Sequence, residues 1–447
     1  MTMFSFNHAA MRPSSPARNP STSSADHQPF AVRLAADALV IAGILALFGL
    51  IAWILPAIGE PIGPKGVPSS VSTNIADLPY YALRSVFRMF VALFFSLVFT
   101  FVYGTAAARC RRLSRVLIPL LDILQSVPIL GFLSATITIW MVLFPGSMLG
   151  VEAASIFAIF TSQAWNMAFS FTRSLTSEPR ELDEAARSLR LTRWQRFWTL
   201  DVPNAMIPLL WNCMMSVGGG WFFLTASEMI SVNNHTYALP GIGSFVAQAA
   251  AEENLAAICW AIVTMVAVVL LIDVLLWKPL TAWAEKFRIT QSESTVCKTS
   301  AVLTIIRQSH IDEMLDRLFQ PVGELFDTLT RPLGRTGGRW SVETKSARSR
   351  VLDVLFMVVI VAASAFGVIE LMLVIHRDAG FDELGHALAL GMLTFLRVAL
   401  LTIVCSVIWV PVGALIGMNP RVSRFMQPIV QVPVSYTHLT LPTTERV

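Results

Sequence analysis

Eight stretches of this chain stay apolar for about 20 residues or more, the length at which a helix rising about 1.5 Å per residue crosses about 30 Å of hydrocarbon. They run approximately from Ala35 to Pro56, Tyr81 to Ala106, Val116 to Phe144, Val151 to Phe171, Ala205 to Leu224, Leu255 to Trp277, Val351 to Ile375 and Leu388 to Ile416. A ninth begins near Phe425 and is not completed. In lipid the backbone must satisfy its own hydrogen bonds, and helices do so within one segment. The expected fold class is therefore all-α, a polytopic transmembrane helical protein embedded in a lipid bilayer. Composition agrees: 55% of the 447 residues are hydrophobic and 14% are charged, a balance foreign to a water-soluble domain of this length. A net charge of +4 is too small to argue for nucleic acid as a partner. Cys110, Cys213, Cys259, Cys297 and Cys405 show no paired spacing, so neither a disulfide framework nor a zinc site is expected.

Cationic loops fix the expected orientation, because segments rich in Lys and Arg resist translocation. Arg12, Arg18 and Arg33 precede the first span, Arg109, Arg111, Arg112 and Arg115 follow the second, and six arginines from Arg173 to Arg196 follow the fourth. These segments, the amino terminus among them, are expected in the cytoplasm. The alternate connections, Ala57 to Pro79 and Thr225 to Asn254, are poor in cations and are expected in the periplasm, the second carrying Glu228, Glu252 and Glu253. The expected organisation is a disordered amino-terminal segment over 1–34, a first membrane unit of six helices over 35–290, a cytoplasmic linker over 291–350 and a second unit over 351–432. Laying Arg88 over Arg397 without gaps also pairs Gly104 with Gly413, Ser114 with Ser423, Arg115 with Arg424 and Pro119 with Pro428. The second unit thus starts as a copy of the first. Residues 433–447 abandon a span just after it starts, and Val434 to Thr443 resembles the translation of a sequencing-library adapter. That tail is expected to be non-native and the second copy truncated.

The segment RSLTSEPRELDEAARSLRLTRWQRFWTLDVP, Arg173 to Pro203, carries the most information. Pro179 and the acids Glu181, Asp183 and Glu184 mark a helix start. Leu189, Leu191, Trp194, Phe197 and Trp198 supply an apolar face broken by arginines. Two readings stand on these residues alone: short surface helices that dock into a groove on a cytoplasmic partner, or an amphipathic anchor lying among lipid headgroups. The second is the commoner use of such a pattern.

Glu184, Ala185 and Ala186, followed by Phe197 and Pro203, resemble the EAA loop of permeases of ATP-binding-cassette importers, as do WNCMMSVGGGWFFLTASEMISV from Trp211 and YALPGIGSF from Tyr237. The likeness is to the nitrate, sulfonate and taurine type, and the repeated halves match its branch with two fused permease units. It covers most of residues 35 to 290 and, more weakly, 351 to 432. The resemblance implies an inner-membrane transport subunit, not itself an enzyme. Its partners would be an ATP-binding subunit that holds ATP and Mg, so that no cofactor belongs to this chain, and a periplasmic solute-binding protein that delivers a small anion. It also implies that Glu184, Ala185, Ala186, Arg190, Leu191, Phe197 and Pro203 form the ATPase-coupling loop. The family places Gly four residues after the second Ala, where this chain has Arg190.

Polar groups at membrane depth mark further candidates. Gln163 and Asn166 in the fourth span, Asn212 and Ser216 in the fifth, and Arg88 are candidates to line a substrate path, although interhelical bonding is the commoner role for any one of them. Arg84 and Arg88 are placed to attract an anion or to reach the interface. No phosphate-cradling GxxxxGK[ST], HExxH or nucleophile elbow occurs in the sequence, so this chain is not expected to hydrolyse ATP. The competing functions are a secondary transporter driven by an ion gradient, for which the acids Asp122, Asp273 and Glu370 lie toward helix ends, and a membrane scaffold that recruits a protein without transport.

Overall fold

The structure is a computed structural model and describes residues 70–127, 129–232, 235–284, 347–374 and 380–418, with isolated positions elsewhere. The expected span Ala35–Pro56, the linker over 291–350, the start of a ninth span and the tail over 433–447 lie wholly or almost wholly outside the described residues. The chain divides into two units, Met1–Ser341 and Val342–Val447.

In the first unit, a 3-10 turn over Ile75–Asp77 is capped by Asn74 and leads into α1 (Leu78–Arg109), whose first turn holds a proline, the position where a missing N–H costs nothing. Next come α2 (Arg111–Ser126), α3 (Ile129–Leu143), α4 (Leu149–Thr176), α5 (Arg180–Ser188) and α6 (Arg193–Arg196). A π turn over Phe197–Asp201 carries α6 into α7 (Val202–Glu228). A hairpin of β1 (Met229–Val232) and β2 (His235–Ala238) pairs Met229 with Ala238, and α8 (Ile242–Ala251), α9 (Leu255–Ile272) and α10 (Lys278–Ala284) complete the unit.

α4 lies at the centre, packed along both α1 and α7. Lipid tails are as apolar as leucine, so burial alone does not drive helices together in a membrane, and close packing of small residues must contribute. The buried positions of α4 show this: Ala154, Ala158, Ala164 and Ala168 admit neighbouring backbones, while Ile159, Met167 and Phe171 fill the space against Met89, Leu209, Val217, Trp221 and Leu224. A second cluster joins Leu78, Tyr81 and Ala82 of α1 to Ile242, Phe245 and Ala249 of α8 and to Ala257 and Ala261 of α9. Phe94, Phe95, Val98 and Val102 of α1 and Val263, Val266 and Leu270 of α9 are exposed, the apolar surface that a bilayer covers.

Among the described residues, Ile75–Arg109, Arg193–Glu228, Leu255–Ala284 and Gly385–Met418 are long and apolar enough to cross a membrane. The all-α polytopic class holds, the short hairpin being the one pair of strands among the described residues. Two expected elements are corrected. The run Val116 to Phe144 is two helices, each too short to cross alone, because Val127, with φ −74° and ψ 125°, is extended before Pro128, as a residue preceding proline tends to be. The stretch from Thr225, read as a connection, continues α7 to Glu228 and then folds back through the hairpin into α8.

In the second unit, α11 (Ala347–Val374) and α12 (Gly380–Met418) cover the two expected spans, and their described side chains are almost all exposed. Arg397 is exposed on α12, the one charged residue between His386 and Met418.

Candidate functional site

The segment between α4 and α7 forms two short helices held by local signals. Pro179, extended at φ −57° and ψ 139°, precedes α5, and Glu181 and Asp183 occupy its positive first turn. At its end the Leu191 N–H donates to the Ala186 carbonyl and the Arg190 N–H to that of Arg187, the hydrogen-bond pair of a Schellman ending. Arg190 takes the left-handed position of that motif, with φ 51°. Arginine in place of the family's glycine thus leaves this helix ending intact, in a conformation glycine adopts freely. Thr192 and Gln195 then form a reciprocal capping box at the start of α6.

The faces of this segment are sharply different. Glu181, Glu184, Ala185 and Ser188, at helical spacing i, i+3, i+4 and i+7, are exposed together with Leu189 and Arg190. Ala186 is buried at 3% exposure. The aromatics expected on a docking face turn the other way. Phe197 meets Phe101 edge-on at 5.5 Å and Phe171 at 6.3 Å, and Trp198 packs on Phe101 and Phe197. Their apolar area is satisfied by the bundle, so the outward face is chiefly polar. Leu191 and Pro203 are half-buried, the latter at the start of α7.

Beneath the exposed face lies an ion network. Arg196 donates to Asp183 at 2.5 Å, Glu178 at 2.9 Å and Asp201 at 3.4 Å, while Arg109 donates to Glu178 at 2.8 Å and Asp201 at 2.5 Å. Arg187 adds a contact to Asp183 at 2.5 Å. Burial pushes the Asp183 carboxyl up, but the hydrogen bond from Arg196 and the charges of Arg196, Arg187 and Arg109 outweigh it, and the group sits below the usual carboxylate range.

A second, fully buried cluster sits at the opposite end of α1. Arg88 donates to both Glu152 oxygens, at 2.5 and 2.8 Å, and to Glu228 at 2.8 Å, and Arg84 also pairs with Glu152. Glu228 further accepts from Ser85 at 2.5 Å and from the Gly243 N–H at 2.6 Å, at the start of α8. A Cβ on Gly241 would land on the Glu228 carboxylate, and one on Gly243 on the Thr225 backbone, so this close approach requires glycine at both positions. Two arginines and two glutamates leave the cluster formally neutral, which is how ionised groups persist at membrane depth. The Arg88 guanidinium, expected to face a solute, ends on two carboxylates.

Of the other expected path residues, Gln163, Ser216 and Asn212 bond between α4 and α7. Gln163 is wholly buried, its side-chain amide 3.1 Å from the Met89 sulfur and its backbone carbonyl accepting from Ser216 at 3.4 Å. Asn212 donates to Ser170 at 3.0 Å and to the Pro208 carbonyl at 2.9 Å, and Asn166 is exposed on α4. Sequence reasoning missed Glu152 and Glu228 as partners. The signal was present: arginines four apart in an apolar helix demand carboxylates at the same depth, and these two acids border neighbouring spans.

Fold and clusters together define a multi-pass helical membrane protein with a peripheral helical loop clamped to its bundle. Residues 101–276, which include that loop, Glu152 and Glu228, match the family of binding-protein-dependent transport system inner membrane components. Curated relatives include the taurine transport system permease protein TauC of Escherichia coli, 27% identical over 191 residues that make up 42% of this chain and 62% of TauC. The nitrate import permease protein NrtB of Synechocystis is 23% identical over 35% of this chain and 51% of its own length. The bicarbonate transport system permease protein CmpB of Synechocystis is 25% identical over 27% of this chain and 42% of its own length. Each match spans less than two thirds of the relative. Among solved structures, the inward-facing MetNI methionine ABC transporter aligns with a TM-score of 0.40 and 19% identity over 48% of this chain and 97% of that one.

Proposed function

We propose that this chain is the permease subunit of an ATP-binding-cassette importer, forming the path for a small anionic solute that a periplasmic binding protein delivers and a separate ATP-binding subunit drives. The observation that carries the reading is the exposed face of α5, with Glu184 and Ala185 outward and Ala186 inward beneath them. In this reading that face docks on the ATP-binding subunit, which holds ATP and Mg. The match over residues 101–276 and the relatives' names support transport, and the taurine, nitrate and bicarbonate in those names support an anion. The loop end of the bundle then faces the cytoplasm with the amino terminus, and α8 lies on the periplasmic side. Asn166 on α4 and the Asn212–Ser170 pair, with Gln163 and Ser216 behind them, belong to the path, whereas Arg88 acts on the shape of the bundle. The register of Arg88 with Arg397 and of Gly104 with Gly413 supports a second unit that begins as a copy of the first.

The test is binding of the co-expressed ATP-binding subunit to the detergent-solubilised chain. Glu184→Arg and Ala185→Trp, both on the exposed face, are expected to weaken it by about tenfold or more, the effect of spoiling a central interface position. Wild-type binding by both variants would remove the coupling assignment.

A further inference from the structure

We propose that Arg196 is a positioning residue that makes the loop and the bundle move as one body; this rests on the reading of α5 as the docking helix. Arg196 is 7% exposed and does not lie on the face offered to a partner. Its three donor nitrogens each reach a different element: Nη1 to Asp183 in α5, Nη2 to Glu178 in the link that leaves α4, and Nε to Asp201 in the turn that opens α7. Arg109, the last residue of α1, bonds Glu178 and Asp201 as well. The three helices of the bundle core and α5 therefore converge on one set of charge-assisted hydrogen bonds. A guanidinium suits this place, because its planar fork holds several carboxylates at fixed angles, whereas an ammonium is a single flexible point.

Without this network α5 would be tied to the bundle mainly by the buried Ala186 and the chain on either side. A push on its exposed face would then tilt a nine-residue helix instead of moving α1, α4 and α7. Coupling between sites needs an element that both sites bias, and the network makes the loop part of that element.

The experiment uses the full chain with its ATP-binding subunit in nanodiscs, on a background without native cysteines and with Asn166→Cys as reporter. The rate of maleimide labelling at the reporter is measured with and without ATP, beside binding of the ATP-binding subunit. In the wild-type loop ATP is expected to change the labelling rate. In Arg196→Gln the subunit is expected to bind, while the ATP-dependent change falls by about fivefold or more, the lower end of ordinary coupling between sites. Asp183→Asn, which frees only the α5 end, is expected to show a smaller loss, and Arg196→Lys is expected to recover part of the response. A full ATP response in Arg196→Gln overturns the proposal. Loss of subunit binding in both Arg196→Gln and Asp183→Asn also overturns it, because the network would then belong to the docking face itself. Glu184→Arg and Ala185→Trp separate the two readings: normal binding by both removes the docking assignment, whatever Arg196 does.

Discussion

Arg190 shows how a single residue can depart from a pattern and keep its geometry. A left-handed arginine is strained by about 1–2 kcal/mol relative to the freedom of glycine, so Arg190→Gly is expected to raise stability by about 1 kcal/mol, read as a higher midpoint of thermal unfolding in detergent, with binding of the ATP-binding subunit retained. Lost binding would assign Arg190 a direct contact. At the other end of α1, Arg88→Leu leaves Glu228 buried without its cation, a change expected to cost about 3–5 kcal/mol. Glu228→Leu strands Arg88 in the same way, whereas the double variant leaves the neutral Arg84–Glu152 pair. The double variant is therefore expected to lose clearly less than the sum of the singles in the same thermal assay. Additive losses would mean that the charges do not act as a pair. Both arginines were visible in the sequence as intramembrane cations, but their partners were not. Glu152 and Glu228 border apolar runs, where a carboxylate reads as a loop residue until the fold supplies its counter-charge.

At the scale of elements, the loop was legible in kind but not in orientation. Proline and first-turn acids are local signals, and the start of α5 obeys them; the capping pair at Thr192 and Gln195 is a finding of the structure. Which face of the aromatic segment points outward depends on Phe101 and Phe171, residues that are distant in sequence, so the aromatics of the expected apolar face pack on the bundle while Leu189 stays exposed. Hydropathy likewise ran across Val127, since an apolar proline break still scores as apolar. The Asp183 arm of the clamp has a defined pH window. Asp183 is held below its ordinary value by arginines, so its contribution is fully present above the unfolded carboxylate pKa of about 3.9 and is lost as pH falls through the lower folded value. A spin label at the exposed Ser188 is expected to keep constant mobility from neutral pH down to that range and to loosen only below it. In Asp183→Asn it is expected to be mobile throughout, and a native loop as mobile at neutral pH as that of the variant would contradict the Asp183 arm of the clamp.

For the whole molecule, the class was readable because a bilayer admits few folds: runs of about 20 apolar residues leave little besides helices. Tertiary facts, such as α4 at the centre and α8 folded back onto α1, depend on small-residue packing and one buried carboxylate, which no periodicity displays. Orientation is tested by labelling single cysteines placed at Ser188 and at Gln248 in intact cells. A membrane-impermeant maleimide is expected to reach Gln248→Cys alone, and labelling at Ser188→Cys from outside would invert the topology. The most direct test of the central claim is solute uptake into proteoliposomes holding this chain and the proposed ATP-binding subunit, with taurine, nitrate and bicarbonate as probes. ATP-dependent uptake of one of them, delivered by a binding protein and abolished by Glu184→Arg, is the predicted result. Uptake that follows an ion gradient without ATP, or that survives Glu184→Arg unchanged, would contradict the account.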